Sequence, residues 1–323
     1  MTMLSEFDLI AKYFTKPVRN ASLGIGDDCA LLTPVPGMQI AISTDMLVSG
    51  THFFPDTDPR QLGHKSLAVN LSDLAAMGAE PLAFTLALSL PAPDETWLKS
   101  FSEGMFSLSN LCHCELIGGD TTKGPLNICI TVFGRVPIGY ALRRDRAEYG
   151  DDIWVSGTIG DARLALAHCR NEITLDREDF SAVSPRLHTP IPRIALGMAL
   201  RKTANSALDI SDGLLGDLTH ILDASGVGAT INTDALPVSS VLARQTEDWR
   251  MICALTGGDD YELCFTAPPS KRSRVLEASA RTGVPVTRIG FIEREPGLRL
   301  CNSQGEPVSF SRRSFDHFLT NNK

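Results

Sequence analysis

The chain has 323 residues, 43% of them hydrophobic and 21% charged, which is the balance of a globular protein of about two domains. Its formal net charge of −8 argues against a nucleic-acid-binding protein, which needs a basic surface for the phosphate backbone. The first ten residues lack the pattern of a signal peptide, and the apolar run at 81–91 is too short to cross a membrane. We therefore expect a cytoplasmic protein without a membrane partner.

The cysteines agree with that expectation. None of the eight forms a Cys-x-x-Cys pair, and most stand in apolar segments, so we expect free and mostly buried thiols. Cys29 in particular is predicted to be a buried strand residue. The Cys112-His113-Cys114 run has the wrong spacing for a structural zinc site.

Helical and strand-like patterns alternate along the chain. The first half predicts a helix at 6–14, strands at 29–32 and 39–44, a helix at 59–78, a strand at 83–90, a helix at 94–111 capped by Asp94, and strands at 115–117 and 127–136. The second half predicts a strand at 153–155, helices at 162–169, 192–202 and 214–224, strands at 229–232 and 262–266, a helix at 272–282 and a strand at 286–292.

The polar and basic segment 137–149 interrupts this alternation, and we place a domain boundary near its end. The predicted domains are therefore 1–148 and 149–323. The mixture of helices and strands in both halves predicts the α/β (α+β) class.

Aspartates recur in short turns that contain glycine or serine and stand beside apolar segments. Seven stretches have this form: GIGDDCA (24–30), STDM (43–46), NLSDLAAMGA (70–79), GGDTTKG (118–124), GDDIWVSGTIGDA (150–162), DISDGLLGDL (209–218) and GGDDYEL (257–263). A single aspartate in a turn is ordinary, because its side chain bonds the nearby backbone. A set of carboxylates that ends several apolar elements is typical of Mg²⁺ sites, where the metal bridges carboxylates to phosphates.

The common nucleotide-binding motifs are absent. The chain has no G-x-x-x-x-G-K-[ST] loop and no protein-kinase H-R-D or D-F-G motif. GIGDDC has cysteine where a dinucleotide fingerprint needs its third glycine, and its aspartates would repel a pyrophosphate. If nucleotide phosphates bind here, metal ions must hold them.

The acidic motifs together resemble the thiamine-monophosphate kinase family, within the aminoimidazole-ribonucleotide-synthetase-like superfamily of ATP-using enzymes. The match runs in one order through GIGDDCALL, STDMLVSGTHF, NLSDLAAMGA, LIGGDTTKGP, GDDIWVSG, DISDGL and GGDDYELCF to FDHF, over residues 24–318. The resemblance implies an N-terminal domain that pairs in a homodimer to form a β-barrel-like core. It also implies a C-terminal α/β domain that completes an active-site cleft for ATP.

The same resemblance implies a reaction. The γ-phosphoryl group of ATP would pass directly and in line to thiamine monophosphate, giving thiamine diphosphate and ADP. The attacking phosphate oxygen is already ionised near neutral pH, so we assign no catalytic general base. Catalysis would then rest on alignment and charge neutralisation.

Individual roles follow from the matched positions. The implied ligands of several Mg²⁺ ions are Asp28, Ser43, Thr44, Asp45, Asp73, Asp120, Asp209 and Asp212. The implied ATP contacts are Gly119, Asp120, Arg144 and Ser211. The implied contacts to thiamine monophosphate are His52, Asp259 and Phe315, and Asp259 stands where the family usually has glutamate.

Two other kinds of protein share parts of this pattern. One is another enzyme of the superfamily, such as a selenophosphate synthetase or an aminoimidazole ribonucleotide synthetase. A selenophosphate synthetase should carry a reactive cysteine in a glycine-rich N-terminal segment, which this sequence lacks. The other is a non-catalytic protein that binds divalent cations, although the Ca²⁺-loop pattern D-x-[DN]-x-[DN]-G is absent.

Overall fold

The computed structural model describes residues 5–312 and residue 314, and within them the chain forms two compact units. The first unit contains the residues up to 74 together with 79–139. The second contains 75–78 together with the residues from 140 onward. Among the described residues, no helix has the length and apolar content that crossing a membrane requires.

The first unit is a four-stranded sheet with helices. Its elements are α1 (Glu6–Leu9), β1 (Met38–Val48), α2 (Pro59–Ala76), β2 (Glu80–Leu90), α3 (Glu95–Cys112), β3 (Glu115–Lys123) and β4 (Asn127–Pro137). The strand order is β1-β4-β2-β3, antiparallel except for the parallel pair β2–β3. The Asp94 carboxylate accepts the N–H groups of Thr96 and Trp97, which confirms the predicted cap of α3.

One face of this sheet is buried, because buried and half-buried residues alternate along β4. Along β4 the buried residues include Ile128, Ile130 and Val132, with half-buried residues between them. Helix α2 covers this face near Gly134, where a Cβ would lie 2.9 Å from the Leu74 side chain.

Glycines also let α2 and α3 approach each other closely. A Cβ on Gly63 would lie 2.0 Å from the carbonyl oxygen of Phe101, and one on Gly104 would lie 1.8 Å from that of Arg60. Helix α2 is thereby held between the sheet and α3, which fixes the helix that carries Asp73.

The second unit has a six-stranded sheet and most of the helices. Its elements are β5 (Asp152–Ser156), α4 (Asp161–Cys169), α5 (Arg177–His188), α6 (Ile194–Leu200), β6 (Ser206–Asp209), α7 (Leu214–Ser225), β7 (Gly228–Asn232), α8 (Ser240–Ala243), α9 (Glu247–Thr256), β8 (Leu263–Ala267), α10 (Arg272–Thr282), β9 (Val286–Glu293) and β10 (Gly297–Cys301). The strand order is β10-β7-β9-β5-β8-β6, antiparallel except for the pair β10–β7.

The central strands of this sheet are covered on both faces. Every residue of β5 and β8 is buried. One core contains Ile153, Val155 and residues of α7, whereas the other contains Trp154 and residues of α6 and α10. Trp154 stacks on Phe265 in the second core, with ring centroids 6.4 Å apart.

The prediction for residues 29–32 was wrong. This segment forms no extended strand, because Leu31 turns back to bond Ser22 and Leu23 through the backbone. Cys29 is consequently exposed instead of buried. The expectation of mostly buried thiols was wrong as well, since only Cys114, Cys253 and Cys264 are buried.

Candidate functional site

The first group of predicted site residues lies where β1 faces α2. Ser43 and Asp45 are two residues apart on the strand and therefore share the face toward the helix. The Ser43 hydroxyl donates to the Asp73 carboxylate, and the Asp45 backbone N–H donates to Asn70 Oδ1 at 3.0 Å. Because Asn70 and Asp73 are one helical turn apart, strand and helix periods bring the acids of β1 and α2 to one place.

Thr44 does not join that group through its side chain. Its hydroxyl lies on the opposite face of the sheet, 2.8 Å from the hydroxyl of Thr131 in register on β4. Asp120 is exposed on β3 and is paired in register with Ala87 of β2.

Gly119, next to Asp120, has a φ of +149°, and a Cβ there would lie 1.9 Å from the carbonyl oxygen of Leu86. The close approach of β2 and β3 thus requires glycine at this position. This close approach fixes the backbone from which the Asp120 side chain projects.

The GIGDDCA turn separates the roles of its two acids. The Asp27 carboxylate accepts the backbone N–H of Asp28 at 2.9 Å and shapes the turn, while Asp28 is exposed.

His52 is held in its turn by the Val48 N–H, which donates to Nδ1 at 3.0 Å. A neutral His52 ring must therefore carry its proton on Nε2.

The second group of predicted site residues follows β6 in the second unit. Asp209 is the buried last residue of this strand, and Ser211 and Asp212 form the turn into α7. One oxygen of Asp217, Oδ2, accepts three consecutive backbone N–H groups, from Ser211 at 3.0 Å, Asp212 at 3.1 Å and Gly213 at 3.0 Å. We name residues 211–213 the acidic loop.

Asp217 is nearly buried in the first turn of α7. Burial raises the pKa of Asp217 to about 7, although its three backbone hydrogen bonds favour the charged form. Its carboxyl group thus determines the conformation of the acidic loop.

The GGDDYEL segment packs directly on the acidic loop. The Asp259 N–H donates to the Ser211 carbonyl, and the Tyr261 N–H donates to the Ile210 carbonyl, both at 2.8 Å. Asp259 and Tyr261 adopt left-handed φ values of 66° and 50°, and the Tyr261 hydroxyl donates to Asp259 Oδ1 at 3.1 Å. The structure therefore brings Ser211, Asp212 and Asp259 together.

Two buried acids, Asp260 and Glu262, anchor the GGDDYEL segment to the core of the second unit. Asp260 accepts the Gly160 N–H at 2.9 Å, and burial raises the pKa of Asp260 well above its ordinary value. Glu262 is fully buried and accepts hydrogen bonds from Arg186, Arg193 and Ser156. This paired, buried carboxylate is the residue before β8 and fixes the start of that strand.

Two predicted contacts remain to be located. Arg144 lies in the 3-10 turn Arg144–Arg146 and is exposed, while its carbonyl accepts the Ser225 hydroxyl at 2.8 Å. Phe315 lies outside the described residues.

The ligand atoms of the predicted metal-binding residues suit a hard cation. The predicted ligands offer carboxylate and hydroxyl oxygens, which are the ligands Mg²⁺ prefers. Within residues 5–312 and 314, no three His, Cys, Asp or Glu side chains gather closely enough to form a ready-made metal centre.

Comparison with known proteins gives the family. Residues 26–136 match AIR synthase related protein, N-terminal domain, and residues 148–300 match AIR synthase related protein, C-terminal domain. The chain is 48% identical over 322 residues to the thiamine-monophosphate kinase of Salmonella typhimurium, with 98% of each chain covered. The chain belongs to the thiamine-monophosphate kinase family.

Solved structures of this family have the same fold. The crystal structure of thiamine-monophosphate kinase from Stenotrophomonas maltophilia has a TM-score of 0.84 and 46% identity, covering 90% of this chain and 92% of that chain. The complex of AaThiL with AMPPCP and TMP has a TM-score of 0.77 and 29% identity, covering 88% and 89%. The family resemblance and the α/β class predicted from the sequence are confirmed.

Sequence reasoning missed the residues that support the thiamine-monophosphate kinase motifs. Asp217 stands four residues after Gly213 at a helix start, and an acid in a first helical turn is a readable signal. Asn70 begins the NLSDLAAMGA motif, yet nothing in the sequence shows that it bonds β1. Glu262 carries no such signal, because its arginine partners are 69 and 76 residues away.

We expect Asp217→Ala to raise the KM for ATP roughly tenfold, because one buried and two half-buried N–H groups lose their acceptor and the acidic loop loses its conformation. Asp217→Asn keeps one carbonyl oxygen and should recover part of the affinity. The matched control is Asp223→Ala, which removes an exposed carboxylate from the same helix. Equal KM values for ATP in the two alanine variants would show that Asp217 does not position the loop.

Proposed function

We propose that this chain transfers the γ-phosphoryl group of ATP to thiamine monophosphate, giving thiamine diphosphate and ADP. The observation that carries the proposal is the 48% identity to the Salmonella typhimurium enzyme over 98% of both chains. The AaThiL complex with AMPPCP and TMP supports ATP and thiamine monophosphate as the two ligands. Full-length identity to one kinase family favours this reaction over the other chemistries of the superfamily.

The reaction requires little of the side chains beyond binding and orientation. The acceptor is a phosphate oxygen that needs no general base, so the protein's task is to align two polyanions. Bound Mg²⁺ ions would supply charge neutralisation and hold the phosphates in line.

The carboxylates are the proposed metal ligands in each unit. In the first unit they are Asp28, Asp45, Asp73 and Asp120, with oxygen donors from the Ser43 hydroxyl and from the backbone carbonyl of Thr44, whose hydroxyl lies on the other face of the sheet. In the second unit they are Asp209 and Asp212. Neutral groups position two of them in the first unit: the Ser43 hydroxyl donates to Asp73, and the side-chain oxygen of Asn70 accepts the backbone N–H of Asp45. The acids of β1 and α2 thus offer oxygen ligands at one place in that unit.

The proposed nucleotide contacts are Gly119, Asp120, Arg144 and Ser211. Gly119 lets β3 approach β2 closely and so positions the backbone beside Asp120, and the exposed Arg144 guanidinium offers charge-assisted hydrogen bonds to phosphate. The proposed contacts to thiamine monophosphate are His52, Asp259 and Phe315. Asp259 has a shorter side chain than the usual glutamate, and its left-handed backbone and Tyr261 bond hold it in place.

We also propose that the protein is a homodimer that pairs through the outer face of the first sheet. On β1, Ile40, Ile42 and Met46 are 41%, 62% and 53% exposed, and they alternate with the residues that face α2. An exposed apolar strip along one strand is typical of an interaction surface. The cytoplasmic location and the domain boundary after residue 148 remain predictions.

Incubation with ATP, Mg²⁺ and thiamine monophosphate should give thiamine diphosphate and ADP in equal amounts. The products are separated by chromatography and counted against time. Omission of thiamine monophosphate should reduce ADP formation to background. If ADP forms equally slowly with and without the substrate, and no thiamine diphosphate appears, the proposed reaction is wrong.

Asp45→Asn and Asp120→Asn should each lose turnover by several orders of magnitude, because each removes a charged ligand for Mg²⁺ while keeping the shape of the side chain. Steady-state rates measure the loss, and circular dichroism checks the fold. Asp56→Asn, at an exposed aspartate of the same unit, is the control and should keep the wild-type rate. Wild-type rates in Asp45→Asn or Asp120→Asn would refute that residue's role.

Light scattering should give a mass of about twice 34.9 kDa for the wild-type chain. Ile42→Asp should give the mass of one chain, because a charge in the apolar face opposes its burial. Leu111→Asp changes an equally apolar residue, 74% exposed and away from that face, and should leave the mass unchanged. A monomeric wild-type chain, or a dimer that survives Ile42→Asp, would contradict this pairing.

A further inference from the structure

A second candidate ligand site lies in the second unit, away from the acidic loop. A cavity of about 680 Å³ is lined by Asp152, Tyr149, Phe291 and four arginines, Arg272, Arg288, Arg294 and Arg299. We name it the arginine pocket.

Sheet register places the arginine pocket at the far end of the sheet from the acidic loop. Asp152 pairs with Ala267 across β5 and β8, and Ser206, the first residue of β6, pairs with the adjacent Thr266. Asp209 pairs with Leu263 at the other end of β8. The pocket is therefore separate from the proposed metal ligands of this unit.

A buried carboxylate holds two of the arginines in position. Asp152 is only 3% exposed and accepts Arg272 Nε and Nη2 at 2.6 and 2.7 Å and Arg288 Nη1 at 3.2 Å. Burial opposes ionisation of Asp152, but these guanidinium groups outweigh it and keep its pKa below the ordinary value. Two cations thus share one anion, while their side chains remain 46% and 52% exposed to a ligand.

The other charges of the pocket leave it positive. Arg299 bonds Glu293 at 2.9 Å and the carbonyls of the turn at 295–297, so it is a structural residue. Arg294 lies over the Tyr149 ring, 4.7 Å from the centroid. The pocket is lined by four arginines and only three acids, Asp152, Glu293 and Glu295, in a protein whose net charge is −8.

Aromatic rings complete the pocket. Tyr149 is 63% exposed and Phe291 is 47% exposed, so both present ring surface to solvent beside the arginines. Rings beside guanidinium groups are the combination that binds nucleotides, because a base stacks on the ring while phosphate accepts guanidinium N–H donors. Arg272 gives Nε and Nη2 and Arg288 gives Nη1 to Asp152, so a phosphate would use their remaining N–H groups. The volume also suits a ligand larger than a lone phosphate ion.

We propose that the arginine pocket binds a nucleoside phosphate as a second ligand, with phosphate on Arg272 and Arg288 and the base against Phe291. Binding there needs no Mg²⁺, since arginines supply the charge. This distinguishes it from the ATP site, where metal ions would hold the phosphates.

Equilibrium dialysis with labelled ADP and EDTA tests the proposal on the full chain. Without metal, we expect one ADP to bind the wild-type chain, and its affinity to fall roughly tenfold in Arg288→Gln with the loss of a charge-assisted contact. Arg288 is the residue to change because Arg272 still pairs with Asp152 and protects the fold. Phe291→Ala, at a half-exposed ring, is a second variant that leaves every ion pair intact.

Arg281→Gln is the matched control, because Arg281 is an exposed arginine of α10 outside the pocket. It should bind ADP like the wild type, and all three variants should keep the kinase rate. No metal-independent ADP binding, or equal binding in Arg288→Gln and Arg281→Gln, would overturn the proposal. Displacement of ADP by an equal concentration of inorganic phosphate would overturn the claim that the pocket also binds the nucleoside. The ADP-binding measurements do not depend on phosphorylation of thiamine monophosphate, so they can fail or succeed independently of the proposed reaction.

Discussion

The candidate site in the second unit depends on one carboxylate oxygen that accepts three consecutive backbone N–H groups. Asp217 Oδ2 binds the amides of residues 211–213 and so fixes the turn that presents Ser211 and Asp212. The GGDDYEL segment then bonds to that turn through two backbone hydrogen bonds, which places Asp259 beside it. Buried Glu262, bonded by two arginines, secures the same segment to the core. A ligand-bearing loop with a buried anchor loses little entropy when its ligands bind.

Six of the acids described above fall into two kinds of surroundings. Asp152 and Glu262 are buried and held by pairs of arginines, so loss of these partners would leave a buried charge uncompensated. Asp28 is exposed in a turn and Asp120 is exposed within β3, while Asp45 and Asp73 are half-buried beside a serine and an asparagine. The second kind remains accessible to a cation that arrives with a phosphate ligand.

The sequence predicted the α/β class and the family because seven acidic motifs occur in one order along the chain. It also predicted much of both sheets and the Asp94 cap, since these depend on local periodicity and on neighbouring residues. It failed at residues 29–32, where a backbone contact to residues 22 and 23 replaces the strand. Strand alternation alone would have placed the Thr44 side chain opposite Ser43 and Asp45. The partners of Glu262 and the arginine pocket depend on tertiary contacts between distant segments, which local patterns do not encode.

We propose that oxygen ligands arranged by neutral and backbone donors hold Mg²⁺ only together with nucleotide phosphates. Mg²⁺ is usually bound through one or two carboxylates together with substrate phosphates, so we expect phosphate oxygens to complete the coordination. Calorimetric titration of Mg²⁺ into the protein, with and without AMPPCP, tests this most directly. We expect weak Mg²⁺ binding to the protein alone and much tighter binding once the nucleotide is present. Tight Mg²⁺ binding that is unchanged by AMPPCP would contradict it and indicate a cation-binding protein.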